Sequence, residues 1–153
     1  ALSLLFDIRS PKLDWMTETE AIKQGTGTLK GMLVGLGILL AVAAASVGLF
    51  LLNGGVVGSE RILPEGWVDE AGSPKIIDGK QVDYGYMLWP IPESKGTPNE
   101  GAFEARGIFG QHVYMNPREN VVIVVWGALP KPQHMAVIRD NDFFAAAVEA
   151  LKR

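Results

Sequence analysis

Few side chains in this 153-residue chain could carry nucleophilic or metal chemistry. The chain has no cysteine, so it has no thiolate nucleophile, no thiolate ligand and no disulfide framework. Its two histidines, His112 and His134, each stand alone, and a zinc site needs more ligands than these. We therefore expect no metal site and no cofactor, and we interpret each histidine as a solvated or hydrogen-bonded structural residue.

The most distinctive spacing lies between Gly101 and Trp126, in GAFEARGIFGQHVYMNPRENVVIVVW. Apolar and small residues alternate up to Met115, a turn falls at residues 116–120, and an apolar run follows. This pattern predicts two antiparallel strands joined by a hairpin turn. Gly107 and Gly110 interrupt the first strand, and glycine inside a strand marks a bulge or a close approach to the backbone. Both readings stay open: a ligand approaches there, or a bulge binds nothing.

This segment resembles the C-terminal part of the serine β-lactamase-like hydrolases, in particular the class C-like group of esterases and 6-aminohexanoate-dimer hydrolases. In that group a Gly-Ile-x-Gly-Gln run follows an often degenerate Lys-Thr-Gly signature. Here Ala105-Arg106-Gly107 stands in the place of that signature. The runs at residues 51–55, 62–68 and 84–89 also resemble the family in the expected order. The resemblance covers roughly residues 47–153.

The resemblance implies which residues border a substrate. The backbone N–H of Ile108 would be a donor of the oxyanion hole, aimed at the charge that develops on a carbonyl oxygen under attack. Ala105, Arg106, Gly107 and Gln111 would belong to the same oxyanion-hole and substrate strand. Among these residues, Arg106 is the one placed to touch a substrate carboxylate or a neighbouring carboxylate, although the role favoured for it is a surface salt bridge.

The resemblance does not extend to the family's nucleophile. These hydrolases use a Ser-x-x-Lys pair one helical turn apart, so that the amine can deprotonate the hydroxyl. The sequence contains no such pair, because the Ser-Pro-Lys runs at residues 10–12 and 73–75 have the wrong spacing and are broken by proline. Tyr114-Met115-Asn116 matches the family's Tyr-x-Asn motif by letters only, since it ends a strand. We assign no catalytic residue and predict that the chain alone is inactive.

The pattern of elements predicts an α+β protein with one antiparallel sheet. Its strands are expected at residues 84–89, 102–107, 109–115 and 120–126, and a polar loop at 72–83. Helical spacing predicts a C-terminal helix at about 135–151 that covers the sheet, with Val122 and Val124 buried against Phe144 and Val148. By resemblance this is a partial β-lactamase/transpeptidase-like fold. Its missing first strands would leave an edge or face of the sheet uncovered.

We expect a single partial domain over residues 1–153. Residues 1–70 form its helical part, with an apolar helix at about 29–52, and residues 71–153 form the sheet and the C-terminal helix. The stretch from Gly31 to Leu52 has no charge and is long enough to span a bilayer at about 1.5 Å per residue. Two interpretations stay open. Either the stretch spans a membrane, or it is a helix buried in protein, with these side chains packed inward: Leu33, Leu36, Leu40 and Val47.

Composition limits the partners. The net charge is -3 and the basic residues are scattered, so we expect no nucleic acid. By resemblance, the chain is a C-terminal fragment, or a split or decayed copy, of a hydrolase that cleaves amides or esters through a serine ester. The alternatives are a membrane-anchored non-catalytic module and a subunit that completes a separate hydrolase chain. A homo-oligomer or an N-terminal partner chain is compatible with this, as is a membrane-associated or periplasmic location.

Overall fold

The computed structural model describes residues 26–91, 94–132 and 139–152. The protein is α+β, with a long N-terminal helix, small antiparallel sheets and a C-terminal helix. The chain divides into two compact units, Ala1–Ala43 and Ala44–Arg153. The elements are α1 (Thr26–Leu52), β1 (Val56–Val57), β2 (Glu60–Arg61), α2 (Trp67–Ala71), β3 (Lys75–Ile77), β4 (Lys80–Val82), β5 (Trp89–Pro90), β6 (Phe103–Arg106), β7 (Gln111–Asn116), β8 (Val121–Trp126) and α3 (Asp140–Leu151).

The principal sheet is antiparallel, with the strand order β5-β6-β7-β8. The predicted hairpin is present, because β7 pairs with β8 from Asn116↔Val121 to Gln111↔Trp126. Asn120 ends its turn with φ 54°, a left-handed conformation that asparagine tolerates better than most residues. The alternation of residues 111–116 and the turn residues after them therefore set this register.

The first strand of the sheet is much shorter than the predicted 84–89. Residues 84–88 are not extended, and the strand is only Trp89–Pro90. Gly85 donates its N–H to the Leu88 carbonyl, and Met87 has φ 61°, so the backbone turns where a strand was expected. Pro90 is the last residue of this strand, a position that an edge strand tolerates because no ladder hydrogen bond from proline is needed there.

The predicted polar loop at residues 72–83 contains a hairpin instead. Strands β3 and β4 pair from Lys75↔Val82 to Ile77↔Lys80 around Asp78 and Gly79. Both turn residues have positive φ, 51° and 73°. An Asp-Gly pair between short β-branched runs is a strong hairpin signal, so the sequence did contain this element.

The two faces of the principal sheet are covered by different helices. On the first face, Tyr114 packs with Phe144 and Val148 of α3, and Val121, Ile123 and Val125 adjoin them. The rings of Tyr114 and Phe144 stack with centroids 4.6 Å apart. The covering helix is thus confirmed over 140–151, while residues 135–138 of the prediction lie outside the described residues.

The second face of the sheet packs against the last turns of α1 and against the helix α2. Val68 and Ala71 of α2 form a buried cluster with Phe103 and Met115, and Leu51 of α1 packs against it. Val122 belongs to this cluster, so its predicted burial against Phe144 and Val148 is wrong. The same holds for Val124, which has the same parity along β8, because successive side chains of a strand point to opposite faces.

The apolar helix is present over Thr26–Leu52, and its side chains are largely exposed among the described residues. The residues predicted to pack inward in a soluble protein have exposed fractions of 60% for Leu33, 52% for Leu36, 42% for Leu40 and 57% for Val47. That packing is therefore wrong for this chain by itself. By length and composition, Leu29–Leu52 could cross a membrane. Gly48 differs from these residues, because it is buried against β8 and β7.

We predict that Gly48→Ala destabilises the protein although alanine favours helices. A Cβ at position 48 would lie 2.6 Å from Val122 Cγ1 and 3.0 Å from Val113 Cγ1, so the helix or the sheet must shift. Overpacking of this kind costs about 1–3 kcal/mol. The matched control is Gly37→Ala in the same helix, where a Cβ meets nothing within 4 Å. It should stabilise by roughly 0.5–1 kcal/mol. Urea unfolding of both variants checks this, and a stabilising Gly48→Ala would contradict the packing described.

Candidate functional site

Four of the five predicted site residues border one cavity. The cavity has a volume of about 280 Å³, is lined mainly by apolar atoms and lies within the unit Ala44–Arg153. The predicted residues on its lining are Ala105, Arg106, Gly107 and Gln111. Its apolar wall comes from the last part of α1 and from three strands: Ala44, Ala105, Val113, Val124 and Trp126. The end of β6 is therefore the rim of a real concave site.

The fifth predicted residue, Ile108, lies in the turn beside this cavity. Gly110 donates its N–H to the Gly107 carbonyl at 3.2 Å, which closes a turn over residues 107–110. The strand predicted at 109–115 consequently begins only at Gln111, and Phe109 is in the turn. Ile108 is 55% exposed. Its amide N–H donates to no described backbone carbonyl, so it is available to an acceptor from outside.

The side chain of Gln111 lies close against Gly107. The Gln111 amide donates to the carbonyl of Gly127, and at 3.3 Å to that of Phe109, which holds the side chain across the end of the sheet. A Cβ on residue 107 would collide with Gln111 Oε1 and stand 3.0 Å from Gln111 Cβ. The glycine thus has a structural cause, the close approach of a neighbouring side chain.

Arg106 contacts a neighbouring carboxylate within the chain. Its Nε donates to Glu104 Oε1 at 3.0 Å, and its Nη2 donates to the same oxygen. The guanidinium also lies over the Trp89 ring, 5.7 Å from its centroid. The arginine is 31% exposed, whereas its partner Glu104 is fully buried. Arg106 is thus the partly exposed end of a buried ion pair, which differs from the surface salt bridge considered above.

Sequence analysis missed the partner of this arginine, Glu104. Its second oxygen, Oε2, lies 2.6 Å from His112 Nδ1, and His112 is only 5% exposed. On the other side of the ring, His112 Nε2 is 3.6 Å from Asp140 Oδ2 at the start of α3. One signal could have found the cluster: Glu104 and Arg106 are two apart on one strand and share a face, as do His112 and Tyr114 on the next.

The environment of Glu104 keeps it ionised. Burial raises the pKa of a carboxyl group, but hydrogen bonds from His112 and Arg106 and the charge of Arg106 outweigh it here. The net result is a pKa below the ordinary value for glutamate. Glu104 therefore acts as a buried negative charge that holds Arg106 and His112 in place.

Tyr114 and Asn116 occupy a second buried polar network. Tyr114 Oη donates to Asn99 Oδ1 at 3.0 Å and accepts from Asn116 Nδ2 at 3.0 Å. Asn116 Nδ2 also donates to the Pro98 carbonyl at 2.8 Å, and Asn99 Nδ2 to the Asn141 carbonyl at 2.8 Å. The three side chains tie the loop before β6 to the sheet and to α3. Their burial beneath α3 gives the Tyr-x-Asn letters a structural role.

The remaining chemically capable residues do not assemble into a site. Ser73 Oγ donates to the Asp69 carbonyl at 2.5 Å, and Lys75 Nζ pairs with Glu70 Oε1 at 3.3 Å, so neither is directed at the other. Among the residues that the structure describes, no group of three or more His, Asp or Glu side chains could hold a metal ion. Ser10, Lys12 and His134 lie outside the described residues.

The chain matches no protein-family model and no curated protein.

We predict that stability falls in acid through Glu104. The pKa of Glu104 is lowered in the folded state, so the unfolded state binds more protons in acid. The contribution of Glu104 to stability is therefore fully present above the ordinary glutamate pKa of about 4.3 and is lost as the pH falls through the lowered pKa of the folded state. Glu104→Gln should be less stable at pH 7 by about 3 kcal/mol, since it leaves Arg106 and His112 without a carboxylate. Its free energy of unfolding should also vary less between pH 5 and pH 3.

The control for this experiment is Glu119→Gln. Glu119 pairs with Lys152 at 2.9 Å in a partly exposed surface salt bridge, worth about 0–1 kcal/mol. Chemical denaturation across the pH series measures both variants. A Glu104→Gln protein with the wild-type pH slope would show that Glu104 is not the titrating group.

Proposed function

We propose that this chain is the C-terminal part of a serine β-lactamase-like hydrolase that cleaves amide or ester bonds through an acyl-enzyme. It supplies the substrate strand and not the nucleophile. The observation that carries the proposal is the gathering of Ala105, Arg106, Gly107 and Gln111 around one cavity, beside the unused amide of Ile108. These are the residues that the resemblance selects for the oxyanion-hole strand.

The arrangement of the unit around this strand supports the proposal. The resemblance implies an antiparallel sheet with a C-terminal helix on it, and β6, β7 and β8 follow one another in that order with α3 on one face. The last turns of α1, together with the short helix α2, lie on the other face of the sheet. The cavity lies on that face as well. The candidate strand end is thus open to a small molecule.

The reaction assigns each residue a limited task. When a nucleophile attacks a carbonyl carbon, the carbonyl oxygen gains negative charge, and the Ile108 N–H is a preformed donor for it. Gln111 fixes the turn that presents this amide, through its bonds to the Gly127 and Phe109 carbonyls. In the family, the second donor is the amide of the nucleophilic serine. Since the chain has no Ser-x-x-Lys pair, the nucleophile and this donor must come from outside it.

A specific observation favours one alternative, the membrane-anchored non-catalytic module. Consecutive residues of α1 are exposed and apolar, so apolar side chains cover every side of the helix: Met32, Leu33, Val34, Leu36, Ile38, Leu39 and Leu40. Exposed apolar surface of this extent marks a membrane or protein contact. The other alternative, a subunit that completes a separate hydrolase chain, is favoured by β8, whose outer edge pairs with none of the described strands.

Our prediction for activity is that the isolated chain hydrolyses neither a chromogenic short-chain ester nor a β-lactam above background. An oxyanion hole stabilises charge only after attack, and one donor without a nucleophile faces no reacting atom. The N-terminal segment of a class C-like hydrolase that carries Ser-x-x-Lys, added in trans, should restore turnover. The same mixture with Gly107→Trp should stay inactive, because the indole displaces Gln111 from the strand end.

Two controls make this assay decisive. Lys80→Trp places the same side chain on the exposed strand β4, whose residues do not line the cavity, and should leave the restored turnover unchanged. The N-terminal segment alone measures its own background. Turnover by the lone wild-type chain that disappears in Gly107→Trp would refute the fragment proposal, because it would require a nucleophile within this chain.

Partitioning separates the hydrolase fragment from the membrane-anchored module. If the apolar helix is covered by the rest of the hydrolase, the chain mixed with the complementing N-terminal segment should remain in the supernatant with liposomes, because the helix is then not free to insert. If instead the helix spans a bilayer, the chain should sediment with the liposomes and resist carbonate extraction. A chain that sediments and also shows no complementation in trans would overturn the proposed function in favour of the module.

A further inference from the structure

The cavity at the end of β6 is suited to an apolar part of a ligand. Its wall contains Ala44, Val113, Val124 and Trp126, and apolar atoms form most of its surface. Trp126 is 58% exposed and stands at the side of the cavity, where an indole can cover a bound chain. A largely apolar wall with a few polar groups at one end is the usual composition of a small-molecule site.

The charged groups near the cavity are already paired. Arg106 and His112 both border it, but the guanidinium and the imidazole are bonded to Glu104, whose carboxylate is fully buried. An ion inside the cavity would lose its hydration without gaining a free partner of opposite charge, which is costly. The part of a ligand that enters must therefore be uncharged.

The size of the cavity limits the ligand to a small group. At about 280 Å³ it lies just below the range of roughly 300–1,000 Å³ that is typical of sites for drug-sized molecules. An apolar cavity of about 150 Å³ in another protein is large enough for benzene. A chain of a few carbon atoms fits such a volume, whereas a peptide or a sugar oligomer does not.

Small residues on facing elements contribute to this space. Ala44 on α1 and Ala105 on β6 both line the cavity, and a larger side chain at either position would extend into it. The cavity reaches Gly107, whose carbonyl carbon is bonded to the Ile108 nitrogen. A group that fills the cavity therefore ends beside Gly107, whose neighbour Ile108 has an N–H that donates to no described backbone carbonyl.

We infer that this cavity binds the short, uncharged aliphatic acyl group of the substrate, with the acyl carbonyl at the Gly107–Ile108 peptide. The inference rests on the proposed function and names the substrate class: aliphatic amides or esters with an acyl chain of a few carbons. Binding of the acyl group requires only residues of this chain, so it can be measured without the nucleophile.

The experiment titrates the isotope-labelled full chain with hexanamide and follows the methyl resonances of Val113 and Val124. We expect saturable shifts of these methyls with a Kd on the order of 1 mM. Acetamide, which has the same polar end and almost no tail, should bind at least tenfold more weakly. Ala44→Leu should weaken hexanamide binding at least tenfold, because leucine occupies the cavity. Ala43→Leu, the same change at the exposed neighbouring position, should leave the Kd unchanged.

Three results would overturn the inference: no saturable shift at these valines, acetamide binding as tightly as hexanamide, or wild-type affinity in a folded Ala44→Leu variant. Should Ala44→Leu not fold, the comparison of hexanamide with acetamide on the wild-type chain decides. Complementation in trans without hexanamide binding refutes the acyl site alone. Hexanamide binding without complementation supports the acyl site while the proposed hydrolase function fails.

Discussion

The buried carboxylate of Glu104 constrains the rest of the sheet. A charge without exposure to water must be paired, and two strands supply the partners: Arg106 on β6 and His112 on β7. On the far side of that histidine, Asp140 brings the start of α3 to the cluster. Loss of either Arg106 or His112 leaves the carboxylate of Glu104 less compensated in the interior. The cluster therefore fixes the register of β6 on β7 and the position of the C-terminal helix together.

The same constraint decides the chemistry of the cavity. Alternation along β6 sends Glu104 and Arg106 to the face of α3 and Ala105 to the face of α1. The charges are thus gathered and neutralised on one side of the sheet, while the other side presents alanine, valine and tryptophan side chains. The turn after β6 adds polar groups at its end of the cavity, where Gly107 and Gln111 line it. This separation suits a neutral ligand with one polarisable carbonyl.

The apolar surface of α1 and the outer edge of β8, which pairs with none of the described strands, are both surfaces that a protein normally keeps covered. Both expose groups that a protein or a lipid normally covers, apolar side chains in the first case and unpaired backbone hydrogen-bonding groups in the second. Gly48 and Leu51 at the end of α1 are packed within the unit Ala44–Arg153, so the helix has two kinds of surroundings along its length. Both surfaces are therefore candidates for contact with a protein or a lipid outside this chain.

Sequence alone determined the elements that rest on local patterns. Alternation and an Asn-Pro turn predicted the β7–β8 hairpin, helical spacing predicted the residues of α3, and the lack of charge predicted α1. The Asp-Gly pair of the β3–β4 turn is also a local hairpin signal, although the polar composition of residues 72–83 predicts a loop there. Tertiary structure decided the rest. The side of β8 that faces α3 holds Ile123 and not Val122, and Glu104 meets His112, because β-register and helix placement depend on contacts between residues distant in sequence.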